Sequence, residues 1–78
     1  MNKDKLLNVI AEALDVDAVT LVSDQSNTQE WDSLGHLSIL AALDDKLKGQ
    51  VSKLSNLGKL TSVKEIYNEL AKANLVVD

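Results

Sequence analysis

Three side chains with the chemistry of a hydrolase lie close together in the sequence: Asp32, Ser33 and His36. A serine hydroxyl, an imidazole and a carboxylate can form a nucleophilic triad, in which the imidazole takes the hydroxyl proton. Here, however, all three would share one helical turn, and neither a Gly-x-Ser-x-Gly turn nor an oxyanion-hole donor accompanies Ser33. We therefore expect that the chain is not an enzyme.

The rest of the sequence offers little other catalytic chemistry. The chain has no cysteine, so neither a Cys-His pair nor a disulfide can form. His36 is the one histidine, and scattered carboxylates around it do not make a zinc ligand set. There is also no glycine-rich phosphate-binding loop. Any thiol that the protein uses must come from an attached group.

Length and charge restrict the class of protein further. The 78 residues predict a single domain over 1–78, and the net charge of −4 argues against nucleic-acid binding. An acidic surface instead favours partners with basic patches. The sequence has neither the apolar run of a signal peptide nor a segment able to span a bilayer. We expect a cytoplasmic monomer that does not insert into membranes.

The apolar pattern predicts three principal helices. Apolar residues recur at helical spacing from Leu6 to Leu14, which predicts a first helix over 3–14. Asp32 and Ser33 are good N-caps and predict the start of a second helix. The sequence Lys48-Gly49 predicts the end of that helix.

The last helix and the connections complete the predicted fold. A capping box, Ser62-Val63-Lys64-Glu65, predicts the start of the third helix. Leucines three residues apart in 51–60 predict one short helix or 3₁₀ turn. Residues 15–32 lose the helical period and predict a long loop, pinned to the core by four apolar residues: Val16, Val19, Leu21 and Val22. The expected fold is a small all-α bundle with this long loop.

The run Trp31-Asp32-Ser33-Leu34 places a serine hydroxyl at the start of an amphipathic helix. A transferase can reach a hydroxyl in this position, and the free N–H groups and positive dipole end favour a phosphodiester there. Taken alone, Asp32-Ser33 is an ordinary helix cap. The length, the acidic charge and the order of the helices favour a modified serine instead, through the family resemblance that they complete.

This context resembles the acyl carrier protein family, whose signature is Asp-Ser-Leu at the start of the second helix, and the resemblance covers essentially the whole chain. It implies that Ser33 bears 4′-phosphopantetheine, whose arm carries acyl groups as thioesters. It also implies that Asp32 helps a phosphopantetheinyl transferase hold magnesium–coenzyme A and that Leu34 docks against that enzyme. The other implied partners are acyl-loading, acyl-processing and acyl-transferring enzymes.

The second helix carries two apolar stripes. One fits the core and consists of Ile39, Leu40, Leu43 and Leu47. The other is similar to the partner-docking surface of the family, which here would comprise Leu34, Leu37, Ala41, Asp44 and Asp45. Leu54, Leu57 and Tyr67 are expected in the core, where they could also line a cavity for an acyl chain.

Two residues beside Ser33 have ordinary interpretations. Trp31 is expected to be a half-buried anchor for the long loop, with lining of a cleft for the prosthetic arm as the alternative. His36 is expected to be a surface residue or a polar residue beside the helix cap.

The sequence also departs from the family pattern. Acids on the second helix are limited to Asp44 and Asp45, with Gly35 and Ser38 where acids are common, and 51–60 contains no acid. We therefore expect a carrier dedicated to a specialised pathway rather than to primary fatty-acid synthesis. An aminoacyl or peptidyl carrier and an unmodified helical interaction module remain the alternatives.

Overall fold

Five helical segments follow one another along the chain in the computed structural model. It describes residues 1–77, and at positions 52, 53 and 55 the backbone alone. Three of the five segments are α-helices: α1 (Lys3–Leu14), α2 (Ser33–Lys46) and α3 (Val63–Lys72). Two are 3₁₀ helices between α2 and α3: η1 (Gln50–Lys53) and η2 (Ser55–Lys59). No β-strand forms within the described residues, so the prediction of a small all-α fold is confirmed.

Helix α1 has the bounds that the apolar spacing predicts. It begins where Asn2 Oδ1 accepts a hydrogen bond from Lys5 N at 2.8 Å, which satisfies one of the free N–H groups of the first turn. It ends where Asp15 adopts the left-handed conformation, with φ of 57°, and Val16 N bonds back to Ala11 O at 3.0 Å.

Helix α2 ends at Lys46, two residues before the predicted stop. Both residues of that predicted stop have left-handed backbones, with φ of 56° at Lys48 and 82° at Gly49. Gly49 N bonds to Asp44 O at 2.9 Å and satisfies a carbonyl of the last turn. The left-handed turn that follows the helix therefore includes Lys48 as well as Gly49, the glycine that predicts the stop.

The connection to α3 contains two 3₁₀ helices where one short helix was predicted. Leu54 separates them, with φ of −107° and ψ of 82°, outside the helical region. Helix α3 then starts at the predicted capping residue. Glu65 N donates to Ser62 Oγ at 3.2 Å, and the Ser62 hydroxyl donates to Glu65 Oε1 at 2.9 Å.

The core is formed by the inward faces of the three α-helices. Its fully buried side chains include aliphatic residues from each of them: Leu6, Ile10, Ile39, Leu43, Ile66 and Leu70. Leu57 of η2 is also buried, while Leu54 and Tyr67 are half-buried against this core. Among the described residues, no helix is both long enough and apolar enough to cross a membrane.

The long loop is held at three places. Val19 is buried, and Trp31 is only 2% exposed. In the middle of the loop, Gln25 N bonds to Thr61 O at 2.9 Å and Val63 N to Ser23 O at 3.0 Å, which ties the loop to the start of α3. The prediction that Val22 helps to pin the loop is wrong, because that side chain is 78% exposed.

Candidate functional site

Ser33 is the first residue of α2, and its side chain is exposed. The preceding Asp32 caps the helix: its Oδ1 accepts from Gly35 N at 2.8 Å and its carbonyl from His36 N at 2.9 Å. The cap uses one carboxylate oxygen and fixes the backbone around the serine. The Ser33 hydroxyl therefore lies at the positive end of the helix dipole and is exposed to solvent.

Gly35 allows the end of the loop to lie against the first turn of α2. A Cβ atom at this position would overlap the backbone carbonyl oxygen of Glu30 and would lie 2.9 Å from Leu14 Cδ2. In the sequence, Gly35 is notable only because an acid is common at this position in the family that the chain resembles. The structure gives the physical reason: there is no room for a side chain where the loop crosses the helix.

His36 is buried, so the expectation of a surface residue is wrong. The side chain is 8% exposed and uses both ring nitrogens. Nδ1 lies 3.1 Å from Trp31 Nε1, and Nε2 lies 3.0 Å from the carbonyl oxygen of Leu57. An indole N–H can only donate and a carbonyl can only accept. This pair of contacts therefore requires a neutral imidazole with its proton on Nε2.

Trp31 is the other member of this buried pair. Its ring lies nearly parallel to that of His36, with an interplanar angle of 14° and centroids 6.2 Å apart. At 2% exposure Trp31 is a fully buried anchor rather than a half-buried one, and its indole does not line an open cleft. Because its partners occupy both ring nitrogens, His36 is not placed to act as a base for Ser33.

The solvent-facing side of α2 carries the second apolar stripe, as predicted. Leu34 is 73% exposed and Leu37 is 61% exposed, and Ala41 is exposed as well. On the opposite side, Ile39 and Leu43 are buried. The two stripes of the sequence thus correspond to a core face and an open face, which begins directly beside Ser33.

The two acids of α2 differ in their surroundings. Asp45 is exposed, whereas Asp44 is half-buried and its Oδ1 atom is buried. No hydrogen-bond partner for this oxygen exists in the part of the chain that the structure describes. Both acids have the same predicted role in docking, because nothing in their order along the chain separates them.

A groove of about 360 Å³ runs between α2 and the two 3₁₀ helices. Its wall on α2 consists of Leu40, Ala41 and Asp44. Its opposite wall consists of Val51, Leu54, Leu57 and Gly58. The predicted cavity residues Leu54 and Leu57 are therefore found together, but Tyr67 does not line this groove. Apart from the carboxylate of Asp44, the side chains in the groove are aliphatic.

The described residues contain no group of three or more His, Cys, Asp or Glu side chains that could hold a metal ion. Comparisons of the chain with models of protein families, with characterised proteins and with solved structures found no match. The function of the site is therefore inferred from the chemistry of its residues and from their geometry.

Proposed function

We propose that this chain is an acyl carrier protein that takes 4′-phosphopantetheine on Ser33 and delivers acyl thioesters to partner enzymes. The observation that carries the proposal is the exposed hydroxyl of Ser33 on the first residue of α2, within the sequence Asp32-Ser33-Leu34. The small three-helix fold with its long ordered loop is consistent with the acyl carrier protein resemblance of the sequence.

The loading reaction needs an accessible hydroxyl. The Ser33 oxygen attacks the phosphorus of coenzyme A that bears pantetheine, and the O–P bond forms as the bond to the second phosphate breaks. The products are the phosphodiester and 3′,5′-ADP, and a base of the transferase takes the serine proton. The product anion would remain at the N-terminus of α2, where the helix dipole favours negative charge.

The neighbours of Ser33 fit the supporting roles that the resemblance implies. Asp32 is exposed, and its cap bond to Gly35 N uses Oδ1, so Oδ2 can face the magnesium ion of the transferase complex. Leu34 is 73% exposed and gives the enzyme an apolar contact one residue from the reacting hydroxyl. Once attached, the arm supplies the thiol that the chain lacks, and tethering raises its effective concentration at each partner.

The open face of α2 is the docking surface in this proposal. It combines the exposed Leu34, Leu37 and Ala41 with the exposed acid Asp45. A face with one exposed acid offers little charge to the basic patches of partner enzymes, so apolar contacts must contribute most of the docking. This supports a carrier of a specialised pathway, and robust replacement of a primary fatty-acid carrier in cells would contradict that part of the proposal.

The same face also supports a second candidate, an unmodified interaction module. Such a module would bind a partner helix through Leu34 and Leu37 and would not need the hydroxyl of Ser33. Labelling with a fluorescent coenzyme A analogue and a broad-specificity transferase separates the two functions. We expect labelling of the wild-type chain, none of Ser33→Ala, and full labelling of Ser38→Ala, which removes another exposed hydroxyl of α2. An unlabelled but folded wild-type chain would favour the module.

A further inference from the structure

Two buried side chains enclose the turn that presents Ser33. Trp31 Nε1 lies 3.1 Å from His36 Nδ1, and Ser33 lies between these two residues in the chain. The two rings are nearly parallel, with an interplanar angle of 14°, which lets the indole N–H approach the plane of the imidazole, where the Nδ1 lone pair lies. A side-chain hydrogen bond thus closes the segment from the end of the long loop to the first turn of α2.

Both ends of this closed segment are anchored in the protein interior. Trp31 is only 2% exposed, and its backbone N–H bonds to Thr28 O at 2.9 Å. His36 is buried as well, and its Nε2 lies 3.0 Å from Leu57 O. Ser33 itself is exposed. The backbone of the exposed serine is therefore positioned by a buried neighbour on each side of it.

The bond to Trp31 requires an unprotonated Nδ1 on His36. An indole N–H only donates, so Nδ1 must accept, and the single ring proton is on Nε2. A second proton would occupy the Nδ1 lone pair and make this atom a donor that faces another donor. The Nε2 bond to the Leu57 carbonyl would remain, because Nε2 already donates there. Uptake of a proton by His36 therefore breaks the contact with Trp31 specifically.

The charged groups on the segments around His36 are exposed. Asp15 at the end of α1 and Glu30 and Asp32 of the loop favour a cationic imidazole. Lys59 of η2 opposes one, and the two acids of α2 lie at its opposite end. Water screens exposed charges, so their effects on a buried ring are small. The state of the Trp31 bond therefore depends mainly on the proton of His36.

We propose that the Trp31–His36 bond is a clamp that positions Ser33 for loading and that opens when His36 takes up a proton. This inference rests on the proposed modification of Ser33. With the clamp closed, the turn around Ser33 has one arrangement, which a transferase binds directly. With the clamp open, the turn has several arrangements, and the enzyme binds only the chains in which Ser33 is in place. KM for loading then rises as that fraction falls, while kcat is unchanged. His36 is thus a positioning residue rather than a catalytic one.

The composition of the chain isolates this effect. His36 is the one histidine and there is no cysteine, so no other side chain ordinarily titrates between about pH 5 and 8. His36→Gln retains a donor and an acceptor but cannot take up a proton, so it keeps the clamp closed across this range. Trp31→Phe retains an aromatic ring but lacks the indole N–H, so it keeps the clamp open. The two variants thus represent the two states of the wild-type chain.

Loading kinetics with one transferase test the proposal between about pH 7.5 and 5, while circular dichroism shows the helices to be intact. Division by the His36→Gln values removes the pH dependence of the enzyme itself. On acidification we expect the wild-type KM to rise roughly threefold to tenfold relative to His36→Gln, the effect of one hydrogen bond, with kcat unchanged. The KM of Trp31→Phe should equal the acidic wild-type value at every pH. A wild-type KM that parallels His36→Gln throughout, or a change in kcat alone, would overturn the proposal.

A second measurement tests the clamp without any transferase. In the isotope-labelled chain, the scalar coupling between Trp31 Nε1 and His36 Nδ1 reports their bond, and the imidazole nitrogen shifts report its protons. We expect the coupling at neutral pH and its loss in step with protonation of His36 while the helices remain. A coupling that survives protonation would overturn the inference, and so would an imidazole that stays neutral until the chain unfolds. This result does not require Trp31→Phe to fold.

The outcomes separate this inference from the proposed function. If no chain is loaded at any pH, the carrier proposal fails, and the nitrogen coupling still decides whether protonation opens the clamp. If the wild-type chain is loaded with a KM that parallels His36→Gln at every pH, the clamp proposal fails and the carrier proposal stands.

Discussion

His36 Nε2 and the backbone carbonyl of Leu57 lie 3.0 Å apart and join the start of α2 to η2 across 21 residues of sequence. The other ring nitrogen of His36 accepts from Trp31 Nε1 at 3.1 Å. One neutral imidazole thus connects the end of the long loop, the helix that begins with Ser33 and one wall of the groove. The position of Ser33 and the shape of the groove depend on the same buried side chain.

Replacement of His36 by alanine should destabilise the fold. The variant leaves the indole N–H of Trp31 and the carbonyl of Leu57 without partners, at a cost of about 1–3 kcal/mol for each buried group. We expect the free energy of unfolding to fall by about 2–4 kcal/mol in urea titrations followed by the fluorescence of Trp31, the sole tryptophan. His36→Gln, which can both donate and accept, should lose less. A loss below about 0.5 kcal/mol for the alanine variant, within the range of surface substitutions, would contradict the buried bridge.

Replacement of Gly35 by alanine should also destabilise the protein, against the usual helix preference. Alanine favours a helix over glycine by about 1 kcal/mol. The added Cβ would nevertheless overlap the carbonyl of Glu30, and we expect a net loss of about 1–3 kcal/mol in thermal or urea unfolding. Gly58→Ala is the matched control, because a Cβ there meets no atom within 4 Å. Equal effects of the two substitutions would show that the loop does not cross α2 so closely.

The sequence predicts local features well because their causes are local. The caps at Asp32 and Ser62 follow from side chains that bond to backbone groups three residues away, and the bounds of α1 follow from apolar residues at helical spacing. The prediction of a surface position for His36 is wrong because it rests on the polarity of one histidine near the helix cap. Its spacing of three and seven residues from the buried Ile39 and Leu43 was the available signal.

Other features depend on contacts that no local pattern contains. The overlap at Gly35 arises from the backbone of a preceding loop, and the bond to Leu57 from a segment 21 residues away. The exposure of Val22 depends on how the loop is turned towards α3. The difference between Asp44 and its neighbour depends on the segment packed opposite α2. These relations require the folded chain.

The loop should contribute a pH-dependent stability through Asp24. The Ser26 hydroxyl donates to Asp24 Oδ1 at 2.6 Å, and the N–H groups of Ser26 and Asn27 add bonds of 2.9 and 3.0 Å. The hydroxyl bond of Ser26 is the main cause that lowers the pKa of Asp24 below its ordinary value of 3.8, against a smaller opposing effect of burial. Since the folded pKa is below the unfolded one, this stability is present above the unfolded pKa and is lost as the pH falls through the folded pKa.

We therefore expect Asp24→Asn to lower the stability by a constant amount above about pH 5, with the difference from wild type shrinking as the pH falls below the ordinary pKa. Urea unfolding at a series of pH values measures this difference. Asp17→Asn, a substitution of another acid in the same loop, serves as the comparison. Parallel profiles of Asp24→Asn and wild type throughout the acid range would rule out this contribution.

Leu34→Ala should slow loading of Ser33 without unfolding the protein. The side chain is 73% exposed, so its loss should change the stability by no more than about 0.5 kcal/mol. If it docks against the transferase, kcat/KM for loading should fall roughly tenfold, which corresponds to a single apolar contact of about 1.4 kcal/mol. Val22→Ala is the control, since that side chain is 78% exposed and lies in the loop. Similar kinetics for both variants would exclude Leu34 from the docking surface.

The most direct test of the carrier proposal is the intact mass of the chain after incubation with coenzyme A, magnesium and a broad-specificity phosphopantetheinyl transferase. Peptide mapping then locates any added group. We expect a gain of one phosphopantetheine, located on Ser33 and absent from Ser33→Ala. An unchanged mass in a folded sample, tested also with other transferases, or an added group on another residue, would contradict it.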